Sequence, residues 1–249
     1  AAGNALGPED IHDSVVDARA AAAHAMNFVG NGRRLLDPMK PRLVGECDGC
    51  LKCVESCSYK AISFEGEKLV VDPFSCIGCG ACVAACPKGS LELPHYTRRQ
   101  LEEEIKGLLS REDGETVIVG FFEDKICYTA ADNVGTTRLS YPTNIRIVRV
   151  PSNALLNQKI LLKTLLYGAD GIFLCESEAG KELKIVEELV ASTKKTMSEN
   201  SIEAERIRFQ PMVLPIFRVL PQYISSFQQI VNKLGKIPKE KRERLESLL

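Results

Sequence analysis

Eight of the ten cysteines lie between residues 47 and 86, and they repeat one spacing. Cys47, Cys50, Cys53 and Cys57 read C-x2-C-x2-C-x3-C. Cys76, Cys79, Cys82 and Cys86 read the same, and Pro87 follows. Zinc sites use C-x2-C pairs set well apart rather than four cysteines packed into so short a run. A disulfide framework belongs to small secreted domains, and no signal peptide precedes this stretch. Close spacing of this kind lets three sulfurs come from one tight loop. The same loop turns backbone N–H groups toward those sulfurs. Gly49, Gly78 and Gly80 suit the tight turns and the close backbone approach.

The run resembles that of bacterial two-cluster ferredoxins, in which three cysteines hold one iron–sulfur cluster and the fourth reaches across to the other. The resemblance implies two [4Fe–4S] clusters, one on Cys47, Cys50, Cys53 and Cys86, the other on Cys76, Cys79, Cys82 and Cys57. A shift of 29 residues lays Cys47 to Phe64 on Cys76 to Leu93, so that Ile62 and Phe64 fall on Leu91 and Leu93. These alternating apolar positions read as short strands. Glu65-Gly66 is a turn, and Lys68 to Asp72 returns as a strand. Each half is thus a loop, a short helix and a strand, related by a pseudo-two-fold. Residues 42–96 form this α+β ferredoxin module. It has almost no apolar core besides the clusters and is expected to unfold without them. Ser58 follows Cys57 where Pro87 follows Cys86. Proline shapes the loop, so the cluster nearest Cys57 is expected to be the more solvated.

The 249 residues leave room for two modest domains plus extensions. Hydrophobic content of 45% and charged content of 26% are ordinary for a soluble globular protein. A net charge of −1 points to neither nucleic acid nor an anionic membrane as partner. No apolar run approaches a membrane span. Exposed low-potential clusters favour a reducing cytoplasm, with any membrane association made through partners. Cys127 and Cys175 sit in apolar surroundings and read as buried small hydrophobes.

Residues 1–41 read as a helical segment plus a linker. Ile11, Val15, Ala18, Ala22, Ala25 and Val29 recur at spacings of four and three, giving one apolar stripe on a helix over 9–29. Pro8, Glu9 and Asp10 start it, and Gly30 and Gly32 stop it. The run Ala2-Gly3-Asn4-Ala5-Leu6-Gly7-Pro8-Glu9-Asp10-Ile11, with Ser14-Val15 and the alanine-rich stretch, resembles the end of the flavin domain in heterodisulfide reductase A-type proteins. There a glycine-rich turn delivers a helix N-terminus to FAD, where N–H groups stabilise the reduced flavin. No G-x-G-x-x-G is present. The resemblance therefore implies an FAD shared with a flavin-containing partner protein and bordered here by Gly3, Asn4, Gly7, Pro8, Asp10 and Ile11.

Residues 97–115 form a connecting helix, with Thr97 and Gln100 as a capping box and Leu101, Ile105, Leu108 and Leu109 as its apolar face. Over 116–235, strands and helices alternate. Strands are expected at 116–122, 145–150, 171–175 and 207–210, and helices near 126–137, 154–167, 180–199 and 219–234. Continuous apolar runs such as Val117-Ile118-Val119 suit strands buried on both faces. The alternation implies a small α/β parallel sheet of flavodoxin- or Rossmann-like type. Residues 236–249 read as a charged tail with a solvated face.

This domain also carries a resemblance. Phe122, Tyr128-Thr129-Ala130-Ala131-Asp132, Gly135, Tyr141-Pro142-Thr143-Asn144-Ile145-Arg146-Ile147-Val148-Arg149-Val150 and Gly168-Ala169-Asp170-Gly171 are similar to the delta subunit of methyl-viologen-reducing hydrogenase. That family places a [2Fe–2S] cluster on loops at the strand ends. Its cysteine positions fall here on Glu123, Ile126, Ser152, Ser177 and Glu182. Ile has no ligating atom, and Ser and Glu are poor partners for iron–sulfur chemistry beside thiolate. The resemblance thus implies a domain that kept the fold and lost its [2Fe–2S] cluster, leaving a docking role.

The order of parts is similar to the C-terminal half of heterodisulfide reductase A-type proteins and to the B subunit of the quinone-interacting oxidoreductase. It implies an electron-transfer subunit of a hetero-oligomeric complex, passing single electrons between a partner's flavin and another redox partner, with no catalytic residue of its own. A free ferredoxin-like carrier with a C-terminal docking domain is the alternative, though such a carrier is usually strongly acidic. A self-contained enzyme finds little support. His12, His24 and His95 are scattered, and neither a nucleophile–base pair nor a phosphate loop is recognisable.

Overall fold

The computed structural model describes residues 11–30, 38–66, 68–110, 114–213 and 216–246. Ala1–Pro38 and Met39–Leu249 are separate compact units. In the first, helix α1 spans Ile11–Gly30. Its predicted stripe is present, and Ile11, Val15, Met26 and Val29 are all exposed along it.

The second unit opens with the cysteine-rich module. Strand β1 (Arg42–Leu43) pairs antiparallel with β4 (Leu91–Glu92), and β2 (Ile62–Glu65) pairs antiparallel with β3 (Lys68–Val71). The short helices α2 (Lys52–Glu55) and α3 (Ala81–Ala85) each follow a cysteine loop. The 29-residue repeat is therefore written in the backbone. It extends to the left-handed positions: Gly49 matches Gly78, Leu51 matches Gly80, and Lys60 matches Gly89, all at positive φ.

Helix α4 (Arg98–Leu109) carries the expected capping box between Thr97 and Gln100. Beyond it, β5 (Ile118–Glu123), β6 (Ile145–Val150), β7 (Gly171–Ser177) and β8 (Ile207–Met212) form a wholly parallel sheet in the order β6-β5-β7-β8. Strand alternation sends Val119, Phe121, Ile172 and Leu174 to one face and Ile118, Phe122, Phe173 and Cys175 to the other. Helices α5 (Thr129–Thr136) and α8 (Leu220–Leu234) cover the second face through Ala130, Val134, Ile224 and Phe227.

The first face meets α6 (Gln158–Tyr167) and α7 (Leu183–Glu199), and its core runs on without a break into the cysteine-rich module. Cys53, Ile62, Cys82, Val83, Leu91 and Leu93 belong to the same buried cluster as Leu101, Ile105, Val148, Leu161 and Leu174. The module therefore closes on the α/β domain rather than on itself.

The tail keeps most of its charges in solvent, with Lys239, Glu240, Glu243, Arg244 and Glu246 exposed, but Lys239–Glu246 forms helix α9, with Leu245 and the preceding Ile237 buried in the first core. Arg242 donates to the carbonyls of Leu165, Gly168 and Ala169 and to Asp170 Oδ1 at 2.7 Å. Asp170, itself buried, also accepts from the N–H groups of Val117 and Ile237. The guanidinium thus satisfies the carbonyl end of α6 and the turn into β7, which no apolar residue could do.

Candidate iron–sulfur site

Two left-handed turns set the cysteine loops. Gly78 (φ 73) and Gly80 (φ 84) bend the second loop so that Cys76, Cys79 and Cys82 come from one short stretch ahead of α3. At Gly80 even a methyl group is excluded, because a Cβ would lie 2.4 Å from Leu155 Cδ1. Leu51 (φ 59) makes the equivalent turn ahead of α2 with 47% of its surface exposed.

Cysteines from both halves of the repeat come together in one cavity. Cys47, Cys50, Cys53 and Cys86 line one cavity, with Leu43, Leu51, Phe64, Leu69 and Leu91 as its apolar wall. Cys57 and Cys76 lie within electrostatic reach of both Cys79 and Cys82. Cys86 is the one cysteine of the second run in that cavity, and Cys82 also lies within electrostatic reach of Cys53.

All ten cysteines are free thiols, and among the described residues no three ligating side chains converge on a single ion. A cubane asks for something different: four sulfurs spread around a cavity, each on its own iron, with N–H groups aimed at them. The residues fit that demand. Ala61 N–H donates to Cys57 Sγ at 3.3 Å, and the N–H groups of Ala81 and Val54 serve Cys79 and Cys53. Burial pushes the thiols of Cys79 and Cys82 up to about 12, so a metal must displace their protons on binding.

The two sets differ in exposure, and the difference corrects the reading from Ser58. Cys47 and Cys50 are exposed, whereas Cys82 is buried and Cys57, Cys76 and Cys79 are half-buried. The set containing Cys57 is the better shielded of the two. Packing of the second loop beneath Leu155 outweighs the missing proline.

At the carboxyl ends of the parallel strands, Glu123, Ser152, Ser177 and Glu182 are buried and Ile126 is half-buried. Glu123 accepts from the N–H groups of Lys125, Ile126 and Cys127, capping the π-helical turn Asp124–Tyr128. Ser152 caps the turn Asn153–Leu155 through the N–H of Ala154. Ser177 is buried at the end of β7, and Glu182 is buried just ahead of α7. Ile126 contributes only packing. Cys127 and Cys175 are fully buried, as expected, and their thiols hydrogen-bond to each other, which raises the Cys127 thiol far above its ordinary value.

Sequence reasoning missed Glu176, Asn153 and Tyr59. Glu176 accepts from Asn153 N at 2.7 Å, Asn153 Nδ2 at 2.9 Å and Ser152 Oγ at 3.2 Å. Burial nevertheless wins over these donors, Glu123 adds to it, and the carboxyl is pushed up to about 7. The available signal was a lone acid in the apolar strand Gly171–Ser177. Tyr59, in the cysteine-rich module, meets Lys181 of the α/β domain across the seam, with Lys181 Nζ 5.0 Å from its ring centre. Of the expected flavin-border residues, Gly3, Asn4, Gly7, Pro8 and Asp10 lie outside the described residues, and Ile11 stands exposed at the start of α1.

Comparison with known proteins agrees with this geometry. Residues 46–90 match the family described as a 4Fe-4S dicluster domain. Residues 118–235 match the methyl-viologen-reducing hydrogenase delta subunit. The iron-sulfur D subunit of the F420-non-reducing hydrogenase vhu of Methanococcus voltae is 30% identical over 134 residues, covering 98% of that protein and 51% of this chain. The chain belongs to this delta-subunit family. It also matches the A subunit of ferredoxin:CoB-CoM heterodisulfide reductase from Methanosarcina mazei, at 30% identity over 172 residues, or 69% of this chain. The corresponding protein of Methanosarcina acetivorans is 28% identical over 179 residues, or 70% of this chain. The chain spans only about a fifth of these two reductase proteins, 22% and 21% of their lengths. The resemblance to heterodisulfide reductase A-type proteins read from the motifs is borne out, and the delta-subunit family here carries a dicluster module ahead of its α/β domain.

Proposed function

We propose that this chain is an iron–sulfur electron-transfer subunit of a heterodisulfide reductase-type complex. It relays single electrons through two [4Fe–4S] clusters, between a flavin on a partner protein and another redox partner. The observation that carries the reading is the cavity that Cys86 of the second run lines together with Cys47, Cys50 and Cys53 of the first. Cys47, Cys50, Cys53 and Cys86 hold one cluster, and Cys76, Cys79, Cys82 and Cys57 hold the other. Each cluster supplies one-electron redox chemistry. The protein supplies N–H donors to the sulfurs and an apolar wall that limits water.

The α/β domain, on this reading, holds no [2Fe–2S] cluster and serves as the platform on which the dicluster module is fixed. Its strand order is that of a flavodoxin-like sheet short of one edge strand. Glu123, Glu176 and Ser152 at the strand ends are engaged in fixing loops. Gly3, Asn4, Gly7, Pro8, Asp10 and Ile11 border a partner's FAD, a role supported by the resemblance alone. No helix among the described residues is long and apolar enough to cross a membrane.

Anaerobically purified protein tests this. About eight irons per chain are expected, with reduced-state EPR signals of two [4Fe–4S] clusters and a flavoprotein retained in native mass spectrometry. Four irons, or a [2Fe–2S] signal on this chain, would overturn the assignment.

A further inference from the structure

Arg98 opens helix α4, and its place there is odd on electrostatic grounds. A cation in the first turn opposes the helix dipole, and α4 has no acid in that turn to offset it. The side chain turns back from the helix onto the cysteine-rich module. Its Nη2 donates to the carbonyls of Val83 at 2.9 Å and Cys86 at 3.4 Å, at the carbonyl end of α3. The guanidinium also lies over Gly89. Nη1 fills the space a Cβ would need there, and Cζ would be 3.0 Å from one. The Gly89 N–H in turn donates to the Cys86 carbonyl at 3.1 Å. Arg98 is half-buried and clamped on the turn Cys86–Gly89. Its acceptors are neutral carbonyl oxygens, so these bonds leave its charge uncancelled.

That turn is one wall of the first cysteine cavity. Cys86, Lys88 and Ser90 line it beside Cys47, Cys50 and Cys53. Cys86 is the one ligand of this set that comes from the second run, so its place depends on what holds residues 86–89. The first half is built differently at the matching positions. A shift of 29 residues puts Lys60 on Gly89 and Leu69 on Arg98. Lys60 is exposed, and Leu69 belongs to the apolar wall of the same cavity. Cys57, the crossing ligand of the other set, instead takes the Ala61 N–H on its Sγ at 3.3 Å.

We infer that Arg98 is a positioning residue for the cluster on Cys47, Cys50, Cys53 and Cys86: it grips the peptide of Cys86 and keeps a fixed positive charge behind that ligand, which makes this cluster easier to reduce. On reduction a cluster takes up one electron and gains one negative charge. A permanent cation close by, partly shielded from water, stabilises the reduced form. Guanidinium suits the task, because it stays charged and its planar fork of donors can serve two carbonyls at once. Capping of α3 alone would need the donors but not the charge.

This inference rests on the two-cluster reading, and the test separates the two. About eight irons in the anaerobically purified wild type, with two [4Fe–4S] signals, secure the reading before any variant is compared. Cys50→Ser, which removes a ligand of the first set, shows which signal belongs to that set. Arg98→Met keeps the stem but removes charge and donors. In an EPR-monitored redox titration, the first cluster's reduced-to-oxidised ratio at a fixed potential is expected to fall about tenfold, equivalent to 59 mV for a one-electron couple. The other cluster stays near its original value. Arg98→Lys keeps the charge without the fork and brings the ratio most of the way back. Unchanged potentials, equal shifts in both clusters, or a fall with Arg98→Lys as large as with Arg98→Met would overturn the inference. If Arg98→Met loses iron, the signal that disappears decides. Loss from the first set supports the grip on Cys86, and loss from the other set, or from both together, counts against it.

Discussion

The two halves of the dicluster module are nearly the same object built twice, and they meet different surroundings. The first half makes its left-handed turns with Leu51 and Lys60, side chains that tolerate the conformation at a cost of roughly 1–2 kcal/mol each. The second half uses Gly80 and Gly89 at the matching positions. The loop of the second half lies directly under the α/β domain, where Leu155 fills the space a Cβ would need at Gly80. The difference teaches that glycine in these loops answers two demands, backbone conformation and close approach. Where the approach is absent, the conformation alone does not enforce it.

Cysteine replacements should break the comparison most sharply. Cys82→Ser removes a ligand and also roughens the shared core, where Ala81, Cys82 and Val83 pack with the α/β residues. Loss of half the iron together with a marked fall in thermal stability is expected. Cys50→Ser, at an exposed position, should lose the other half of the iron while the circular dichroism of the sheet persists. Equal destabilisation by both would erase the distinction between a covered and an open half.

The turn positions give the next largest contrast. Gly80→Ala adds left-handed strain to overpacking against Leu155, about 2–4 kcal/mol together, read from chemical denaturation. Leu51→Gly at the matching site should move stability by under about 1 kcal/mol, since relief of strain is offset by a more flexible unfolded chain.

The smallest effect sharpens the comparison through the cover itself. Glu176 holds Asn153, whose turn carries Leu155 over Gly80. Its folded pKa of about 7 lies above its ordinary value of 4.5. Its contribution is therefore fully present below about pH 4.5 and is lost as pH rises through 7, with an upper bound on the order of 3 kcal/mol. Between pH 5 and 8, Glu176→Gln should flatten the stability profile. A wild-type profile already flat over that range would mean that the carboxyl is not held neutral.

Much of this is legible in the sequence because it depends on local spacing. The cysteine repeat announces the paired loops, turns and short helices of the module, and the capping box at Thr97 announces the start of α4. The run 145–150 is legible to the residue because its apolar stretch ends in Pro151. What escapes depends on partners distant along the chain. The charges of 239–246 look solvated because nothing nearby reveals that Arg242 reaches the carbonyls of Leu165, Gly168 and Ala169. Ser58 misleads about the relative solvation of the two cysteine sets because it is a local cue, while Leu155 lies far downstream. The contact of Tyr59 with Lys181 exists only once the module and the sheet share a core.

The position of Arg242 also bears on the order in which the molecule can be assembled as it is synthesised. All eight cysteines precede the parallel sheet in the chain, so iron can meet its ligands before that sheet is complete. The parallel sheet must wait longer. The carbonyl end of α6 and the carboxylate of Asp170 keep their main cationic donor only after residue 242 has appeared. Because the core above the second cysteine loop is part of that sheet's packing, the open half can be loaded into a nearly finished environment, whereas the covered half reaches its final surroundings among the last events of folding.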